Sequence, residues 1–314
     1  MAAPLALGRR AAAVVAVLGI GFSSAGLQAR LAFQLQERAP GARTRILLDE
    51  AHHNLFAAAA TGYRSFVRLV TEEGFSVTTN AAPFSAGRLA GTDILLITNP
   101  NGAGAAAPVE QRAGAAFADA EVDAVQQWVA AGGALLLVTD HYPAGASARS
   151  LAERLGVHLS AGWTDDVSHR RTLPTYGPVF GYLIFSRATG LIGNHPIMNG
   201  RDRSERVEMV STTTGESIEG PLGSVALLPL SPTALDWLPP GSRRPAPPDQ
   251  PRDFNPCPAC DTRSAAGRSQ GIAFEFDRGR VVVVGEMGVL TGDAPDTGNR
   301  QFTLNTVRWL AREL

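Results

Sequence analysis

Residues 128–143 read WVAAGGALLLVTDHYP, from Trp128 to Pro143. The segment Ala134 to Thr139 (ALLLVT) is apolar almost without interruption, so it lacks the alternation of a half-exposed strand. A short continuous apolar run of this kind suits a strand covered on both faces, as in a parallel sheet. Upstream, Ala116 to Ala131 is amphipathic, with Val122, Val125, Trp128 and Val129 on one side, and it stops at Gly132-Gly133. Helix, glycine pair, buried strand and then polar Asp140-His141 is the unit from which the fold is read.

The same unit recurs on either side. Arg45 to Asp49 (RILLD) and Asp93 to Thr98 (DILLIT) are buried-type strands, and Phe75 to Thr79 is a shorter one. Tyr63, Phe66, Val67 and Val70 have helical spacing ahead of Gly74, a C-terminal glycine. Ala146 to Leu155 reads as a further helix. Strands alternating with amphipathic helices predict an α/β fold, a three-layer flavodoxin-like domain with a mainly parallel central sheet. The second half is richer in strand signals: Phe180–Phe185, Val207–Ser211, Val225–Leu230, Ile272–Phe276 and Arg280–Gly285. The last two flank Asp277-Arg278-Gly279, a hairpin signal. Asn299 is expected to cap a final helix whose Val307, Leu310 and Leu314 face inward. Leu238 to Gly271, rich in Pro, Arg, Ser and Asp, predicts a mobile surface insertion.

The 314 residues are 45% hydrophobic and 18% charged, which excludes a disordered or fibrous chain. The net charge is −1, and no basic stripe marks a nucleic-acid interface. All 28 basic residues are Arg, so chemistry through a Schiff-base or P-loop lysine is excluded. Arg9-Arg10, the apolar run Ala11–Phe22 and Ser23-Ser24-Ala25 read as a secretory signal. Extended to Leu27 the run is 17 residues long, and an uncleaved membrane anchor is the alternative. Residues 1–25 are therefore read as leader or anchor, 26–42 as a stalk and 43–314 as the α/β domain, exported to the periplasm or outside the cell. Cys257 and Cys260 form one CPAC with no second ligand pair nearby. In an exported chain, that spacing favours a local disulfide over a zinc site.

In open parallel sheets, ligands bind beyond the carboxyl ends of the strands. Three strands here run into titratable residues: Asp49-Glu50-Ala51-His52-His53-Asn54, Asp140-His141-Tyr142-Pro143 and Gly285-Glu286. His52, His53, His141, Glu286 and Asp49 are the catalytic candidates, expected at one edge. Asp140, Tyr142, His195 and Asn299 are candidates for substrate binding. Imidazole and carboxylate together serve either a divalent metal, with His52, His53, His141 and Glu286 as ligands, or acid–base catalysis. The plainer alternative makes Asp49 and Asp140 helix caps and His195 a residue that holds its turn. Glutamine hydrolysis is excluded, because no Cys or Ser follows the ALLLVT strand at the elbow.

These motifs carry a family resemblance. Asp49 to His53 after a strand, Trp128 to Gly133 leading to His141, and His195-Pro196-Ile197-Met198-Asn199-Gly200 are three of its parts; Gly279-Arg280-Val281 ahead of Trp309 is the fourth. Over residues 43–314 the chain resembles the class I glutamine amidotransferase-like superfamily, in its branch of ThuA-like (trehalose-utilisation) proteins. It is also similar to exported bacterial proteins sharing Asp-Glu-x-His-His-Asn and the Asn299–Asn305 motif. Glu286 departs from ThuA, where a His or another polar residue is expected. The resemblance implies an amidotransferase-like fold without the catalytic Cys and a link to carbohydrate. The resulting expectation is an exported domain acting on a sugar-like or other polar small molecule by hydrolase- or isomerase-like chemistry. A non-catalytic glycan- or protein-binding scaffold at the cell envelope is the alternative.

Overall fold

A computed structural model describes residues 43–55, 58, 61–173, 177–213, 215–238, 261–290 and 297–314. The leader, the stalk, Cys257 and Cys260 lie outside the described residues. In chain order the strands begin with β1 (Arg45–Asp49), β2 (Ser76–Asn80), β3 (Ile94–Thr98), β4 (Ala134–Val138) and β5 (His158–Leu159). They continue with β6 (Trp163–Asp165), β7 (Arg170–Leu173), β8 (Gly177–Ser186), β9 (Met209–Thr212) and β10 (Ile218–Glu219). The last are β11 (Val225–Ala226), β12 (Leu235–Trp237), β13 (Thr262–Ser264), β14 (Gly271–Phe276) and β15 (Gly279–Val284). Three long helices, α1 (Thr61–Glu72), α2 (Asp119–Ala130) and α3 (Asn299–Leu310), do most of the covering.

The central sheet has seven strands in the order β11-β14-β15-β4-β3-β1-β2. Strands β2, β1, β3, β4 and β15 run parallel; β14 and β11 are added antiparallel at one side. This is the α/β, flavodoxin-like arrangement expected from the apolar runs. The strand period of two splits each run between two cores. Leu48, Leu96, Leu136, Val138, Val282 and Val284 pack with Tyr63 and Phe66 of α1 and Phe302 and Val307 of α3. Leu95, Leu135, Leu137, Val281 and Val283 pack instead with Val122, Val125, Trp128 and Val129 of α2. With both faces covered, β3 and β4 are buried at every residue.

Several sequence boundaries move. Ala146–Leu155 is two short helices, Ala144–Ser147 and Arg149–Arg154. Val225–Leu230 forms a regular strand only at Val225–Ala226; Pro229 makes an isolated bridge to Ser269, and Leu227, Leu228 and Leu230 are buried. Leu238 to Gly271 also needs correction where it is described. Thr262–Ser264 pairs with β12, and Ala265, Ser269 and Gln270 are at most 2% exposed. Main-chain bonds from Ala265 N to Ala234 O (2.9 Å) and Gln270 N to Leu228 O (2.9 Å) fix this stretch within the fold. Among the described residues, no helix is long and apolar enough to cross a membrane.

Candidate functional site

Parallel pairing places the ends of β1, β3, β4 and β15 along one edge, and two separate polar groups form there. The first surrounds β1. Asp49 is fully buried and His52 is 5% exposed. His52 Nδ1 lies 2.8 Å from Asp49 Oδ2, and Nε2 lies 2.9 Å from Glu121 Oε1, near the start of α2. The Asn54 and Asn80 amides donate to Asp49, while Phe84 and Phe117 each sit 4.7 Å from the imidazole. Burial disfavours a charged His52, but the hydrogen bonds and charges of Asp49 and Glu121 outweigh it, leaving its pKa above the usual value. Burial likewise opposes ionised Glu121, yet the Ala118 N–H, His52 and the Phe84 N–H hold its pKa below the ordinary range. This is a clasp between β1 and α2. With both nitrogens occupied, His52 has no lone pair for a metal or substrate. His53 is exposed, in the left-handed region at φ 47°, and takes no part in the clasp.

The second group lies across β4 and β15. Val138 and Val284 are register partners, so Asp140 and Glu286 follow as neighbours beyond the same edge. Glu216, on the loop between β9 and β10, joins them through its backbone N, which donates to Gly285 O at 2.8 Å. Its Oε2 accepts from Ala161 N at 2.6 Å. Gly145 permits this approach, since any Cβ there would strike the Glu216 carboxylate. Glu286 accepts from Gly288 N (2.8 Å) and Val289 N (3.1 Å).

Burial dominates the electrostatics of this group. It pushes Glu286 up to about 8, with the Asp140 charge adding to it. Glu216 is pushed up to about 8 by the same burial, against hydrogen bonds from the Thr139 side chain and the Ala161 N–H, with Asp140 and Asp236 adding to the rise. Asp140 is raised as well, against the pull of His141 and the Asn99 amide. Fully buried Tyr63 is raised by burial and by the charges of Glu286 and Asp140.

His141 is the partly open member, its side chain 30% exposed against 14% for Asp140. Its Nδ1 lies 2.8 Å from the Tyr142 carbonyl, which requires the proton on Nδ1 and leaves the Nε2 lone pair available. Nε2 is 3.8 Å from Asp140 Oδ1, beyond hydrogen-bond reach, and the ring packs 4.4 Å from Trp163. The Thr139 hydroxyl faces the Glu216 carboxyl, and Asn99 Oδ1 and Asn101 Oδ1 are among the buried acceptors without a partner among the described residues.

The five catalytic candidates therefore do not form one constellation. Asp49 and Glu286 are separated by three strand spacings, about 14 Å. Among the described residues, no group of three or more His, Cys, Asp and Glu side chains is placed to hold a metal ion. His195 lies near the opposite edge. Its Nδ1 accepts from Ile197 N (3.2 Å), its ring packs edge-on to Trp309, and burial plus Arg280, at the start of β15, lowers it to about 4. Asn299 is the first residue of α3 rather than its cap, and its amide brackets Ser211 N (2.9 Å) and Ser211 O (2.8 Å) of β9. Both residues are committed to the scaffold. Tyr142 contributes its carbonyl to His141.

Sequence reading missed Glu216, Asn99, Tyr63, Trp163 and Glu121. Glu216 sits in TTTGESIEG, with no strand signal to place it. Asn99 follows DILLIT directly and has φ 38°, but a left-handed Asn is not visible as such in a sequence.

No protein-family model matches the chain, and no curated protein matches its sequence. Solved structures do resemble it. The mmIFT52 N-terminal domain aligns over 85% of this chain and 97% of its own, at 12% identity and a TM-score of 0.56. A ThuA-like protein from Parabacteroides merdae covers 86% and 90% at 11% identity, with a TM-score of 0.43. A GMP synthase subunit from Thermoplasma acidophilum covers 86% and 96% at 10% identity, with a TM-score of 0.40. At 12% identity the likeness to the mmIFT52 domain concerns the fold alone.

Proposed function

We propose that this chain is an exported amidotransferase-like domain without a nucleophilic cysteine that binds a small polar molecule at the β4–β15 edge. One observation carries the reading. Three carboxyl groups and a partly exposed His gather at the carboxyl ends of adjacent parallel strands, beside Asn99, whose buried Oδ1 has no partner among the described residues. An unpartnered buried acceptor costs stability unless a donor from outside the chain meets it. His141 Nε2 is the proton acceptor open to solvent, and Glu216 and Glu286 are carboxylic acids at neutral pH. A site with a base and neutral acids suits proton transfer to and from a bound hydroxyl or carbonyl. The ThuA-like motifs support a carbohydrate among such molecules, and the Arg9-Arg10 leader supports export. Among the described residues, no donor set supports a metal-assisted step.

Calorimetric titration with a panel of sugars and polyols tests the reading. Saturable binding should be weakened by Asp140→Asn, while His141→Ala should remove turnover and leave binding largely intact. Binding unaffected by Asp140→Asn would refute this location. The scaffold alternative draws on the near-complete burial of Glu216 and Glu286, which shuts both from solvent; it requires His141→Ala to change no reaction at all.

A further inference from the structure

We propose that the outer face of the β6–β12–β13 sheet is a stacking platform that seats the sugar rings of a neutral oligosaccharide beside His141. This rests on the reading of the β4–β15 edge as a small-molecule site and names the kind of molecule, a chain that continues beyond that edge. Strand register builds the face. Trp163 stands opposite Trp237, and Trp237 opposite Thr262; Asp165 stands opposite Leu235, and Leu235 opposite Ser264. Directly opposed residues project from the same side of a sheet, so these six form two rows of three. The intervening Thr164 and Asp236 point the other way; both are at most 2% exposed, and the Thr164 hydroxyl donates to Asp236 at 2.7 Å. The first row runs into the site, with the Trp163 and His141 ring centres 4.4 Å apart.

This face is not packing surface. Leu235 is 37% exposed, and both indoles are half-buried. Trp163, Trp237 and Leu235 belong to neither of the two cores that cover the central sheet, whereas Trp128 and Trp309 are buried within them. Aromatic surface left outside the core marks a binding face.

The chemistry of the face selects its occupant. Asp165 is the charged member of the six, and Arg170 Nη1 donates to it at 3.1 Å, so the surface is close to neutral. A cation or an anion gains nothing from such a lining. A lipid or an apolar peptide would need the apolar rows to continue, but Asp165, Thr262 and Ser264 interrupt them. A pyranose has both characters: its C–H face packs on an indole, and its hydroxyl rim meets hydroxyl and carboxylate partners. Neighbouring strands lie about 4.8 Å apart, so Trp163 and Trp237 offer adjacent seats along one row. A monosaccharide occupies the edge alone, and further sugar units reach the platform.

The test is tryptophan fluorescence and calorimetry on the full chain, with cellohexaose, maltohexaose and laminarihexaose against glucose. The expected result is that at least one hexaose binds about tenfold or more tighter than glucose, with a blue shift as an indole leaves water. Trp237→Ala and Leu235→Arg should each weaken the hexaose by about tenfold or more and leave glucose unchanged. Circular dichroism verifies both folds, and Leu235→Arg, a surface change, carries the test if Trp237→Ala misfolds. If glucose binds with sensitivity to Asp140→Asn and chain length adds nothing, the edge reading stands and the platform is overturned. If a hexaose binds with sensitivity to Leu235→Arg but not to Asp140→Asn, the platform stands and the edge reading falls. If no hexaose binds, or if acrylamide quenches no tryptophan of the free chain, the inference is overturned.

Discussion

A buried imidazole between two carboxylates and a buried carboxyl among other carboxyls titrate for different reasons. His52 gains both partners on folding, so its folded pKa lies above the unfolded one. Its contribution is complete below the unfolded value of about 6.5 and is lost as pH rises through the raised folded value. Removing it as His52→Ala leaves Asp49 and Glu121 facing each other and should cost about 3 kcal/mol at pH 6. Urea unfolding of wild type and variant from pH 5 to 9 checks this, and a gap that fails to narrow above neutral pH would count against the clasp. Glu216 and Glu286 are also raised, but by burial. Their stabilising share is present below about 4.3 and is lost as pH climbs toward about 8. Glu216→Gln should thus unfold at higher urea than wild type at pH 8, by at least about 1 kcal/mol, and show no gain at pH 4.

Elements decide which of these residues meet. ALLLVT, RILLD and DILLIT declared a two-faced sheet because nothing polar interrupts them, and the covering helices were legible from their periodic apolar stripes. What the sequence concealed is long-range. Neighbouring strand ends can be read as a shared edge, but strand order is set by crossovers, and β3 intervenes between β1 and β4. That single insertion separates His52 from His141. Glu216 was invisible for a related reason: a loop residue reaches the site only through pairing to Gly285. Two close approaches test this packing. A Cβ at Gly133 would strike the Trp128 indole, and one at Gly145 the Glu216 carboxylate. Gly133→Ala and Gly145→Ala should each destabilise by roughly 1–3 kcal/mol, measured by denaturant unfolding. Of the two, only Gly145→Ala should also weaken ligand binding. Loss of binding in Gly133→Ala at equal folded fraction would place the ligand elsewhere.

At the scale of the whole molecule, a rigid sheet covered on both faces leaves its carboxyl edge as the place where side chains are spared from packing. Strand β4 anchors that edge from the centre. Leu136 is 1% exposed in the middle of it, and Leu136→Ala should cost about 2–5 kcal/mol. Thermal or denaturant unfolding measures the loss, and a near-neutral result would deny that β4 is central to the core. The central claim is that the β4–β15 edge, and not the β1 clasp or the His195 turn, receives a ligand. Amide chemical-shift mapping on the full chain, titrated with erythritol and then with sugars, addresses it most directly. Saturable shifts confined to residues 139–145, 215–217 and 285–289, and abolished by Asp140→Asn, are the expected result. Shifts centred on His52 and Glu121, or on His195 and Trp309, would contradict it.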